Sequence, residues 1–108
     1  MTELETSFRE LQMASFPDHP NSDDLSNWLL ELSEVDSYIA GLATRVIAGE
    51  NPRSISVASI NSLEKALQVI TVSEPSDLKI LDDSREYFKK VRAVHEALIK
   101  VECRENVQ

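Results

Sequence analysis

Apolar residues recur along this chain in alternating steps of three and four, the spacing of one face of an α-helix. The clearest run is Leu25, Trp28, Leu32, Val35, Ile39, Leu42 and Val46, an unbroken heptad seam that predicts a helix over about 24–48. Ser22, Asp23 or Asp24 is placed to cap its start, and Gly49 followed by Asn51-Pro52 supplies its stop. Gly41 lies inside this helix and off the seam, at a cost of about 1 kcal/mol relative to Ala. A second long seam, Ile80, Ser84, Tyr87, Val91, Val94, Leu98 and Val101, predicts a helix over about 77–103. Leu81, Phe88 and His95 form an adjoining row that widens its apolar stripe.

Two shorter segments carry the same period. Leu4, Phe8 and Leu11 predict a helix over about 2–15, opened by a capping box between Thr2 and Glu5. The run Phe16-Pro17-Asp18-His19-Pro20-Asn21 ends it, because proline lacks the N–H that a helix needs. Ile60, Leu63, Leu67 and Ile70 predict a helix over about 56–71. Its last residues, Val69 to Val72, are four β-branched side chains in a row and favour fraying, and Ser73-Glu74-Pro75 reads as its close. Two long helices and two short ones, joined by tight turns, predict an all-α fold: an antiparallel four-helix bundle built on a long helical hairpin. The chain reads as one helical domain, 1–108, with a frayed tail over 104–108. The long stripes exceed what short helices cover, so self-association as a homodimer is a natural expectation.

Charge adds a direction to this picture. Among 108 residues, 11 Lys+Arg stand against 19 Asp+Glu, a formal net charge of -8. The excess is uneven: residues 1–24 hold six acids and one base, whereas residues 77–108 hold seven of each. Such a balance disfavours nucleic acid as partner, since neutralised phosphates supply most of that affinity. It favours a basic protein partner, steered by the field of the acidic end. The candidate partner contacts of that end are Glu3, Glu10, Asp18, Asp23 and Asp24. The ordinary reading of the same charge is solubility.

Composition closes several routes. The two glycines stand apart, so no phosphate-cradling loop exists. The single Cys103 supports neither an internal disulfide nor a zinc cluster, which fits a reducing, cytoplasmic setting. The acidic N-terminus and the short apolar runs predict neither a secretory signal nor a membrane span. His19, in its proline-bounded turn, reads as solvated, and His95 reads as the edge of a helix stripe. Bundle metal sites place Glu three residues before the His, where this chain has Arg92. No catalytic, cofactor-binding or metal-binding set emerges.

On the last helix, Arg85, Lys89 and Arg92 share a face, with Asp82, Glu86 and Glu96 spaced to pair with them. They read as a patch for an acidic partner or as an ion-paired solvent face. Trp28 belongs on the core seam, yet near a bundle end it is also the kind of residue that anchors an interface, and Tyr38 flanks it. The turn Pro17-Asp18-His19-Pro20 resembles the Pro-x-x-Pro turn of type III secretion needle subunits, which are short helical hairpins. The resemblance is confined to that turn and implies no function. The pattern as a whole points to a non-enzymatic helical protein–protein interaction module: an adaptor, assembly or regulatory subunit. The other reading is an acidic inhibitor or antidote that blocks a basic partner, such as a nuclease or a DNA-binding protein.

Overall fold

In a computed structural model, residues 2–50 and 58–106 are described, and they form four helices: α1 (Glu3–Met13), α2 (Asp23–Ile47), α3 (Ala58–Val69) and α4 (Pro75–Asn106). The expected start of α3 at 56 lies outside the described residues.

Local chemistry sets each boundary. Thr2 caps α1, its side chain accepting from the Glu5 N–H at 3.2 Å, as the sequence suggests. The return contact differs from a full capping box: the Thr2 hydroxyl, not its N–H, donates to the Glu5 carboxylate. Ser22 caps α2 by accepting from the Leu25 N–H. At the far end, Gly49 takes φ +97°. The Gly49 N–H donates to Val46 O, and the Glu50 N–H donates to Arg45 O. That is a Schellman closure, open to glycine because it has no Cβ to clash in the left-handed region. Pro75, read from sequence as the close of α3, instead opens α4: its missing N–H has no partner to lose in a first turn. α3 ends at Val69, two residues early, and α4 continues to Asn106, past the expected 103.

Consecutive helices are antiparallel, so the bundle alternates up and down. Glu3 at the start of α1 meets Lys100 late in α4, with Nζ–Oε1 at 3.0 Å. Trp28, early in α2, donates through Nε1 to Leu63 O of α3 at 2.8 Å. Each hairpin joins a long helix to a short one, and the two long helices therefore run in the same direction. Their N-termini are fastened together by Asp77, which is 2% exposed. Its two carboxylate oxygens accept from the Asn21 N–H (3.0 Å) and the Ser22 N–H (2.8 Å). Asn21 Nδ2 adds a bond to Glu74 at 2.9 Å. The molecule measures 51 × 25 × 16 Å.

The core is aliphatic and continuous. Leu25, Leu32 and Ile39 of α2 interlock with Val91, Val94 and Leu98 of α4, all with no more than traces of exposed surface. Leu4 and Leu11 of α1 and Ile60, Leu63 and Leu67 of α3 join the same cluster. The long stripes are thus largely spent within one chain. Ser84, the polar break in the α4 seam, is fully buried and satisfied by donating to Ile80 O at 2.7 Å. No buried side-chain polar atom among the described residues lacks a partner.

Candidate functional site

Between α1 and α2 the chain crosses the N-terminal half of α4 as an extended strap. Ala14 leaves α1 with ψ 146°, and Pro17 and Pro20 keep the strap out of helix. Its far end is pinned by the Asp77 clamp. Its middle is pinned by Phe16, whose ring stands edge-on to Tyr87 at 5.1 Å and 71°. Tyr87 in turn donates its hydroxyl to Asp36 Oδ2 of α2 at 2.9 Å. Burial pushes both acids of this pair up. For Asp36 the hydroxyl's hydrogen bond opposes the rise; for Tyr87 the bond to the carboxylate and its negative charge add to it.

The strap, the end of α1 and one face of α4 enclose an open groove of about 630 Å³. α1 contributes Glu10 and Met13, and the strap contributes Phe16 and Asp18. From α4 come Asp83, Glu86, Tyr87 and Lys90, which share one helix face through steps of three and four. Four carboxylates thus face one ammonium. Glu86 is paired with Lys89, but Glu10, Asp18 and Asp83 make no ion pair among the described residues. Between Arg9 and Arg45 the chain has no Lys or Arg at all. α1 also ends here with no basic residue in its last turn to offset the partial negative charge of its last carbonyls. Among these charges stands Met13, 80% exposed.

The residues singled out from sequence are only partly gathered. Glu10 and Asp18 meet in the groove. Glu3 is two turns away along α1 and is held by Lys100. Asp23 and Asp24 are exposed in the first turn of α2, and Asp24 borders a separate recess between α2 and α3 with Glu31. Trp28 is buried; its indole N–H is bonded to Leu63 O and its ring packs edge-on against Phe88 at 5.8 Å, so it is a core strut with almost no surface to offer. Tyr38 is 57% exposed on the outer side of α2. Of the α4 cations, the three singled out from sequence are each engaged: Arg85 with Asp82, Lys89 with Glu86, and Arg92 with both Glu96 and Glu64 of α3. That face is a lattice of ion pairs.

His19 is exposed in the strap, and His95 is buried beside a smaller recess of about 220 Å³ that Tyr38 also lines. No group of three or more metal-ligating side chains occurs among the described residues, and no described helix is long and apolar enough to cross a membrane. Comparison with known proteins finds no family model, no curated protein and no solved structure that matches the chain.

Sequence reasoning missed Met13, Phe16, Asp83 and Tyr87 as members of one site. A signal was present for the first two. Both are large apolar residues off the α1 seam, placed just before a proline turn, where burial in a helix interface is not available to them.

Proposed function

We propose that this chain is a non-enzymatic protein-interaction module that engages a basic partner through its acidic end, as an adaptor or as an inhibitor. One observation carries the reading. Arg85, Lys89, Arg92 and Lys100 of α4 are each ion-paired within the chain, whereas Glu10, Asp18, Asp23, Asp24, Glu31, Glu34 and Asp83 have no ion pair among the described residues. An uncompensated field of one sign accelerates encounter with a partner of the other and selects against like-charged ones. Selection from a random peptide library tests it. Enriched sequences should be rich in Lys and Arg, and their affinity should fall steeply with added salt. Enrichment of acidic or uncharged sequences would overturn the proposal.

A second reading, self-association, has its own support in the outer face of α2. There Leu30 is 65% exposed and Gly41 opens onto empty space. The seams once expected to pair two copies are largely filled from inside, so a dimer would have to form on this outer face instead.

A further inference from the structure

Resting on that reading, we propose that the groove between α1, the strap and α4 is the docking site, and that its occupant is a partner segment with a bulky apolar residue flanked by Lys or Arg. Two independent sources of negative potential converge there. One is the set of carboxylates on both walls, Glu10 and Asp18 facing Asp83, which outnumber the single Lys90 ammonium there, Glu86 being held by Lys89. The other is the C-terminal end of α1, whose last turn carries no base of its own. Lysine and arginine near such carbonyls are the side chains a helix end ordinarily recruits from its own sequence. Here that position is left to another molecule.

The floor specifies the apolar part. Phe16 packs edge-on against Tyr87 yet leaves 40% of its surface exposed, and Met13 projects with most of its surface in water. Methionine is unbranched and adapts to the shape of what it covers. A volume of about 630 Å³ accommodates several side chains, within the range of ordinary binding clefts. A second copy of this chain is a poor occupant, because its formal charge is -8 and its acids would face these acids. Nucleic acid is a poor occupant for the same reason. Cationic residues on either side of one apolar side chain satisfy walls and floor together.

The test is a titration of the isotope-labelled chain by NMR with a short blocked peptide in which leucines are flanked by arginines. Amide shifts should concentrate at Met13, Phe16, Asp83 and Tyr87. The pair Glu10→Gln with Asp83→Asn should weaken binding roughly tenfold, as expected for two partly exposed charge contacts. The pair Glu31→Gln with Glu34→Gln removes the same charge from α2 and should leave affinity within about twofold. A peptide with serine in place of leucine should bind at least about tenfold more weakly. All variants are surface changes, and their circular dichroism verifies the fold. Equal losses for both charge pairs, or equal binding of the serine peptide, would overturn the groove. Shifts centred on the α2–α3 recess would overturn the groove and leave the interaction module standing. No binding even at low salt would overturn both.

Discussion

Asp77 is the residue on which the arrangement of the strap depends. A carboxylate with so little exposure is costly unless both oxygens are satisfied, and here two consecutive backbone N–H groups satisfy them. Asp77→Ala leaves the Asn21 and Ser22 N–H groups without their acceptor. The expected loss is about 2–4 kcal/mol of unfolding free energy, read from a urea transition. Asp77→Asn, which keeps one acceptor, should lose less. The Tyr87–Asp36 pair behaves differently, because its cost depends on pH. The folded state holds the Tyr87 proton more tightly than the unfolded chain does. Its stabilising contribution is therefore complete below tyrosine's ordinary value of about 10 and is lost as the pH climbs past it. Stability measured from pH 8 upward should fall more steeply for the wild type than for Tyr87→Phe. The Asp36 carboxyl is also raised, so its contribution is greatest below the ordinary Asp value and declines as the pH rises through the folded one. Asp36→Asn should flatten that acid-side slope while keeping an acceptor for the Tyr87 hydroxyl.

At the scale of elements, helix type and order were readable from spacing alone. Seven seam positions in α2 leave little room for another period, and Gly49 marks its end chemically. What spacing could not place was the boundary near proline. Pro75 closes one helix or opens the next with equal local logic, and only the packing of α4 decides. The strap was legible as a break, but its role was not. Asp77 reads from sequence as one more acid in a first turn, and nothing local announces a partner more than fifty residues away. The groove was half legible for the same reason: Glu10 and Asp18 are near in sequence, whereas Asp83 and Tyr87 reach them only through the fold. The two glycines give a matched pair of predictions. Gly41→Ala lies mid-helix with nothing within 4 Å of the added Cβ, and should stabilise by about 1 kcal/mol. Gly49→Ala has equal space but a left-handed backbone, and should cost about 1 kcal/mol. Thermal midpoints of the two variants should move in opposite directions. A fall for Gly41→Ala would mean that another backbone approaches α2 at that point in solution.

For the whole molecule, the filling of the seams makes a statement about association. Leu32 and Leu98 are fully buried within a single chain. Leu32→Asp or Leu98→Asp should therefore unfold the protein, not merely separate copies of it, because each places an unpaired charge in the core. Light scattering across concentration and salt should return the mass of one chain, 12.1 kDa. A dimer indifferent to salt would shift attention from the groove to the outer face of α2.

The clamp between Asp77 and the strap also constrains the order of events when the chain is made. Its bonds join residues 55 and 56 positions apart, and the groove's second wall lies later still. During synthesis from the N-terminus, α1 and α2 leave the ribosome with the strap between them untethered and Phe16 without its aromatic neighbour. Contacts of such high contact order form late, after the loop-closure entropy has been met. The groove proposed as the binding surface therefore comes into being only once α4 has been made. A partner bound in the proposed groove would distinguish chains in which α4 has folded from those in which it has not, and by holding the strap against α4 it would slow their reopening.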